Sequence, residues 1–281
     1  MRRKIFLLLF LCISFLTYAD NFYSIESFEI KPGEKKTVSV VLTNDQDTQS
    51  ASIDITLPKG LSFVGDNGSC VYADRATSMM MHNAQIQTSG ALRVGFFMGT
   101  IAAGTGELFT FKVKADDDAT LGEKTISCSA MNLTYNLVDV PLSDMEVKVK
   151  IYNTFAITLS VSNADMGTVA GTTEEARSDA NCTISATPNT GYEFVKWVDG
   201  ASAEVTDNPY VFTPSADVSF QAVFQPIKYT QTFVFDNGEE NVEKTQDYAT
   251  ELTAPDASGK TGFTFAGWNP AVPATVPATD A

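Results

Sequence analysis

Histidine is almost missing from this 281-residue chain: His82, within SMMMHN, is the only one. A lone imidazole cannot build a zinc site without cysteine or histidine ligands at matching spacing, and none flanks it. It also lacks the oriented partner and the nucleophile of an acid–base or triad mechanism. No GxxxxGK[ST] or GxGxxG loop occurs, so no backbone cradle for a nucleotide phosphate is present. Basic residues are scarce as well: 19 Lys and Arg stand against 34 Asp and Glu. That balance repels nucleic acid and anionic lipid surfaces. Helical periodicity is nearly absent, and beyond the N-terminus no long apolar run appears. These gaps point to a protein that is not an enzyme, has no nucleic-acid partner and needs no cofactor.

The N-terminus has the make-up of a secretory signal. In MRRKIFLLLFLCISFLTYAD, Arg2, Arg3 and Lys4 form a basic start, and Ile5 to Leu16 an apolar stretch. Thr17-Tyr18-Ala19 then places small residues where a signal peptidase reads, so cleavage is expected between Ala19 and Asp20. The apolar stretch is shorter than the roughly 20 residues that a membrane span needs. No transmembrane helix is therefore expected in the mature chain. Cys12 is preceded by Leu11, where a lipoprotein anchor needs a small residue. Loss of the three leader cations leaves a more acidic mature chain, whose ordinary consequence is solubility outside the cell.

Three cysteines follow the leader: Cys70, Cys128 and Cys182. An odd count in an oxidising compartment leaves at least one thiol unpaired. Cys182 alternates with Ile184 and Ala186, and Cys128 with Ile126 and Ala130, so both are expected to point inward on strands. Cys70 lies in the turn-rich DNGSCVYADR. A Cys70–Cys128 disulfide would close a long loop worth roughly 4 kcal/mol. Spacing does not decide between that bridge and free thiols.

Alternation with period two is everywhere. It groups Val38, Val40 and Leu42; Ile53, Ile55 and Leu57; Phe109, Phe111 and Val113; and Val147, Val149 and Ile151. Turn signals such as KPGEKK, GDNG and ADDDATLG separate these runs. The pattern predicts an all-β chain, with a jelly-roll β-sandwich over 20–153. A second unit over 155–225 offers Ile157, Leu159 and Val161, then Val218, Phe220, Ala222 and Phe224. A third begins at Tyr229 and runs to 281.

GYEFVKW at 191–197 and GFTFAGW at 262–268 hold both tryptophans of the chain. The spacing predicts two copies of one small module. Its core aromatics are Tyr192, Phe194 and Trp197 in one copy, and Phe263, Phe265 and Trp268 in the other. In a unit this small, one tryptophan supplies much of the buried area. No counterpart of VSFQAVF follows Trp268. The third unit is therefore expected to order poorly or to expose an unpaired strand edge.

The runs ITLSVSNADMGTVAG, CTISATPNTGYEFVKWVDG and YVFTPSADVSFQAVF resemble the divergent form of the internalin B-repeat family. Tyr229 onward, with GFTFAGWNPAVPATVPATDA, resembles the related Listeria–Bacteroides repeat. The resemblance implies small β-grasp-like modules of bacterial cell-surface and secreted proteins, acting as a spacer or adhesive stalk. SFEIKPGEKKTVSVVLTNDQDTQSASIDITLPKGLSFV, ALRVGFFM and GELFTFKVKADDDATLG resemble cohesin-like domains, which share a jelly roll with some cellulose-binding modules. That resemblance implies a dockerin-binding or surface-display role and carries no catalytic residue.

Several residues remain as candidates for binding. Met79, Met80 and Met81 stand together beside His82, with Tyr72 nearby in sequence. Alternation should bury at least one methionine and expose at least one. An exposed pair would suit an adaptable protein-binding surface, while a loop folded over the sandwich edge explains them as well. Asp116, Asp117 and Asp118 carry oxygens of the kind calcium takes, and a solvated turn accounts for them too. A glycan-binding face would need an exposed planar row drawn from Tyr23, Tyr72, Phe96, Phe97, Tyr135 and Tyr152. The reading is a secreted or surface-exposed modular protein, non-enzymatic, acting in adhesion or ligand presentation at the bacterial cell envelope. Its alternatives are a carbohydrate-binding accessory module and a cohesin-type receptor for a dockerin-bearing protein.

Overall fold

The structure is a computed structural model and describes residues 21–281. The signal sequence, its cleavage point and Cys12 lie outside the described residues. The described residues fall into two compact units that divide between Tyr152 and Asn153. Among them a single 3-10 turn, Asp74–Ala76, is the one helical element. The all-β expectation holds.

The first unit opens with β1 (Phe22–Ser24), β2 (Phe28–Ile30), β3 (Lys35–Asn44), β4 (Ser50–Thr56), β5 (Leu61–Phe63) and β6 (Val71–Tyr72). After the 3-10 turn come β7 (Met81–Ile86), β8 (Leu92–Phe97) and β9 (Gly104–Ala115). The unit closes with β10 (Gly122–Tyr135), β11 (Val138–Pro141) and β12 (Met145–Ile151). One sheet has the order β1-β3-β9-β5, with β6 also on β9; the other runs β2-β12-β10-β4-β8-β7, with β11 on β10. Apolar side chains from both sheets share one core: Val40, Leu42, Phe109 and Phe111 from the first, Ile53, Ile55, Val149 and Ile151 from the second. Alternation makes this arrangement follow from sequence, because every second residue of a strand faces the same side.

One sequence expectation fails in this unit. Ala130 is exposed, although Ile126 and Cys128 before it are buried. A bulge between Ser129 and Asn132 shifts the β10–β4 register, and Ala130 takes a φ of 49°. Met131 and Leu133 then point inward in its place. Of the two states that spacing left open, the structure has free thiols at Cys70 and Cys128, as at Cys182. Cys128 sits mid-strand on β10 and Cys70 leads into β6 of the opposite sheet, where each packs as a small apolar group. Burial pushes both thiols up to about 12.

The second unit contains β13 (Thr154–Phe155), β14 (Ile157–Val161), β15 (Gly167–Gly171), β16 (Ala176–Arg177), β17 (Cys182–Pro188) and β18 (Tyr192–Asp199). It continues with β19 (Glu204–Val205), β20 (Tyr210–Phe212), β21 (Val218–Pro226), β22 (Lys228–Phe233) and β23 (Val242–Asp247). The main sheet has the order β14-β21-β18-β19, flanked by β15-β17-β20. β21 is its keystone, parallel to β14 on one side and antiparallel to β18 on the other. Trp197, Ile184, Phe220, Ala222 and Phe224 build the core between the two sheets.

β22 and β23 form a hairpin of their own. A small cluster of Phe233, Leu252 and Val276 packs there, with Trp268 at its side. The hairpin is joined to the preceding repeat through Gly191. Ile227 N–H donates to the Gly191 carbonyl at 2.9 Å. Gly191 has a φ of +87°, and a Cβ there would come within 2.3 Å of the Tyr248 ring. Both facts require glycine at the head of GYEFVKW.

Candidate functional site

The candidate methionine cluster lies at one edge of the seven-stranded sheet. β7 is the terminal strand of that sheet, so its outer side has no neighbouring strand. Its register on β8 pairs Met81 with Phe97 and His82 with Phe96. Met80 N–H donates to the Met98 carbonyl at 3.2 Å and extends this pairing outward. Met79 is buried, whereas Met80 is 80% exposed, Met81 56%, Phe97 44% and Met98 62%. Met81 and Phe97, directly opposite each other, share the outer face of the sheet, while exposed Met80 and Met98 pair one position further along, where alternation directs side chains to the other face.

Two features hold the patch in shape. A Cβ at Gly95 would fall within 2.6 Å of the Phe97 ring, so the ring lies back over the strand at Gly95. Met98 adopts a φ of 58°, a conformation that costs of order 1–3 kcal/mol for a side-chain-bearing residue. Such strain concentrates where a fold presents a side chain for use. Beside the patch, the His82 ring stacks on Tyr72, with centroids 3.9 Å apart and planes at 32°. Tyr72 in turn meets Phe96 edge-on at 5.7 Å. Tyr72 belongs to the sheet of β9, so this stack closes the sandwich mouth between the two sheets. Tyr72 and His82 thus meet on the core side of the edge, Met81 stands with Phe97 on the outer side, and Met79 is buried. Phe97 reaches Met81 without any sequence cue beyond the apolar run GFFM.

The other candidates separate. Tyr23, Phe96 and Tyr135 are core residues, and Tyr72 and Tyr152 are half-buried. Only Phe97 of the six is exposed, so no planar aromatic row is assembled. Asp117 pairs with Lys114 at 3.3 Å, and Asp116 accepts from the Ser62 hydroxyl at 3.1 Å. Among the described residues, no group of three His, Cys, Asp or Glu is placed to hold a metal.

Arg75, in the 3-10 turn, carries no sequence signal and yet organises the loops behind the patch. Its guanidinium donates to the carbonyls of Leu42 (2.5 Å), Ala102 (2.9 Å) and Gly104 (2.6 Å), and to the Asn44 side chain. Five donors in a planar fork suit such a ring of acceptors.

In the repeats, the two aromatic triplets part company. Trp197 is fully buried, and Phe194 lies 5.6 Å from it. The triplet GYEFVKW forms β18, but Trp197 stands inside that strand rather than at its end. A bulge between Phe194 and Lys196 lets Phe194 and Trp197 reach the same core despite their odd spacing. GFTFAGW forms no strand. Phe263 is 73% exposed and Phe265 49%, which corrects their assignment to a repeat core. Trp268 alone is half-buried, against Phe233 and Phe235 at 5.2 Å each. Among the described residues β18 is held by β21, while 262–268 is paired with no strand.

Residues 157–228 match the family model of the divergent InlB B-repeat domain, and residues 229–277 that of the Listeria-Bacteroides repeat domain. Both repeat resemblances read from the sequence therefore hold. No curated protein matches the chain. Among solved structures, CaCohA2 from Clostridium acetobutylicum is similar at 13% identity and a TM-score of 0.40, over 46% of this chain and 88% of that one. The sixth cohesin of scaffoldin B from Acetivibrio cellulolyticus, solved with a mutant Cel5 dockerin, gives 17% identity and 0.39, over 47% and 98%. A non-cellulosomal cohesin from the archaeon Archaeoglobus fulgidus gives 16% identity and 0.39, over 47% and 91%.

Proposed function

We propose that this is a non-enzymatic modular protein of the bacterial cell surface whose first unit docks a protein partner through the β7–β8 edge. The repeats act as a spacer that presents this unit for adhesion or ligand capture. The observation that carries the reading is the exposed cross-strand pair Met81 and Phe97 on an edge strand, with exposed Met80 and Met98 next along the same pairing. Methionine adapts its shape to a partner, and a contiguous apolar patch is the usual mark of a protein interface. A protein is favoured over a glycan because the patch offers flexible thioethers and one aromatic ring, with no row of rings for sugars to stack on. The signal sequence and the two surface-type repeats support a location outside the cytoplasm. The single histidine is taken up in the stack on Tyr72.

The test uses the full mature chain against two probes, a glycan array and a panel of calcium-loaded dockerin domains. The expected result is capture of a dockerin, abolished by Met81→Asp and by Phe97→Asp with unchanged melting temperature, and silence on the array. Selective glycan binding that survives both substitutions would make the chain a carbohydrate-binding module instead.

A further inference from the structure

The first strand of the sandwich does not stay in one sheet. β1 pairs with β3 only over 41–43, and at 25–27 the chain crosses to the other sheet, where it joins β12 as β2. Past that crossover, residues 36–40 of β3 have β9 on one side and, among the described residues, no strand on the other. About 17 Å of strand edge is left bare. The crossover, not a chain end, leaves it so.

Hydrogen bonding decides which groups point into the gap. Lys112 of β9, opposite Thr37, uses both backbone groups on its far side. Its carbonyl accepts from Val64 N–H at 3.0 Å, and its N–H donates to the Gly68 carbonyl at 2.7 Å. In an antiparallel pair, opposite residues turn their backbone groups either both toward each other or both away. Thr37 therefore turns its N–H and C=O away from β9 into the gap, and so does Ser39, two residues on. β2 forms the facing lip. Its Ile30 carbonyl accepts from Tyr152 N–H at 3.2 Å, on the β12 side, so the Glu29 carbonyl points the other way. Lys36 Nζ donates to that carbonyl at 3.0 Å and lies 5.5 Å from the centre of the Phe28 ring. Between the lips is a cavity of about 680 Å³, lined in part by Ser24, Glu26, Phe28, Glu29, Thr37 and Ser39. Glu26 and Glu29 are exposed there, and Lys36 is the one cation among the lining residues.

We infer that this gap is a strand acceptor, which takes an extended segment of a partner protein, basic at its N-terminal end, as a continuation of β1. Thr37 and Ser39 offer donor and acceptor pairs at the two-residue repeat of a strand, which a peptide backbone matches and a sugar does not. β1 sets the direction: the segment runs antiparallel to β3, with its first residue where β1 leaves, beside Glu26. A cation at that end answers the two carboxylates, since the Lys36 ammonium is already engaged by the Glu29 carbonyl and the Phe28 ring. Main-chain hydrogen bonds to Thr37 and Ser39 supply affinity, and the terminal cation and the side chains turned to Phe28 supply selectivity. The site lies apart from the β7–β8 edge and does not depend on the role given to that edge.

The probe is the capped peptide Ac-KVTVTV-NH2, added to the full mature chain and followed by amide hydrogen exchange. Exchange at Thr37 and Ser39 is expected to slow by about tenfold or more, while Val38, whose backbone faces β9, stays as it was. Ac-EVTVTV-NH2 should bind about threefold or more weakly, and Glu26→Lys should reverse that order. Two N-methylated forms of the probe, each blocked at one set of alternate amides, separate strand addition from surface adhesion: the form blocked toward β3 should lose binding and the other keep it. Unchanged exchange at Thr37 and Ser39 would overturn the site. Binding by both N-methylated forms would overturn strand addition, and equal affinity for the Lys and Glu peptides would overturn the basic end. Slowing at 81–86 in place of Thr37 and Ser39 would move the acceptor to β7 and overturn this one. Protection of Thr37 and Ser39 that needs no peptide and rises with protein concentration would make the occupant a second copy of this chain and overturn the separate partner.

Discussion

Replacing Trp197 by alanine should unfold the second repeat under conditions where Trp268→Ala leaves the third repeat's neighbours intact. Trp197 is fully buried, between Phe194 at 5.6 Å and Phe220 at 6.4 Å. A buried aromatic removes roughly 150–250 Å² from water, which at about 25 cal/mol per Å² is about 4–6 kcal/mol. The extended-chain reference overstates this, so a loss of about 3–5 kcal/mol is expected. That is a large share of the roughly 5–15 kcal/mol that holds a whole domain folded. One term opposes it: the indole N–H of Trp197 is buried and meets no acceptor among the described residues. An orphaned donor of this kind costs about 1–3 kcal/mol. Trp197→Phe removes that cost along with part of the ring, so its net change should stay within about 1–2 kcal/mol. Trp268 is half-buried in a small cluster, and its alanine variant should lose about 1–2 kcal/mol. The assay is urea unfolding of the full chain, with amide exchange at 182–186 and 218–224 as the local readout for the second repeat. Equal losses for the two alanine variants, or a phenylalanine variant as damaged as alanine, would refute the reasoning.

Two further outcomes follow from the first unit. Arg75→Ala should lower stability by about 2–4 kcal/mol, since it strands several carbonyls around Leu42, Ala102 and Gly104. Arg75→Lys should recover only part of this, because an ammonium cannot reproduce the planar fork; identical thermal melts for wild type and Arg75→Ala would contradict the role. The buried thiols set an alkaline limit. Cys70 and Cys128 are raised from 9.0 to about 12 by burial, so folding favours their protonated form. The stability this contributes is whole below about pH 9 and is lost as pH rises from there towards about 12. Burial also raises Tyr135 to about 12, in the same direction. Urea midpoints should therefore fall between about pH 8 and pH 10.5, and Cys128 should resist thiol reagents at pH 8 until the unit unfolds. Labelling of Cys128 in the native chain faster than unfolding would sink this account.

Period-two alternation was enough to place most of the first unit's core. Val40, Leu42, Ile53, Ile55, Phe109, Phe111, Val147 and Val149 are buried as the pattern requires. It works because side-chain direction on a regular strand is set by residue parity alone. Parity fails where a bulge inserts one residue, and the sequence carries no mark of either bulge that matters. One turns Ala130 out and Met131 in; the other turns Trp197 in, where strict alternation from Phe194 would have turned it out. The pair Met81 and Phe97 shows the same limit at longer range. The methionine run is visible in the chain, but Phe97 reaches it only through the β7–β8 register.

Local chemistry thus settled the strands, the turns, the repeat and the scarcity of reactive groups, since each depends on neighbours a few residues away. Tertiary pairing decided everything that depends on which strand lies beside which. GYEFVKW and GFTFAGW carry nearly the same local instructions, yet among the described residues one is a core strand and the other is in no strand. The first is held by β21, which forms ladders with both β14 and β18. A strand's backbone groups and one face of its side chains are satisfied only by a neighbour. The same spelling therefore buries Trp197 beside a half-buried Phe194 and leaves Phe265 open beside Trp268.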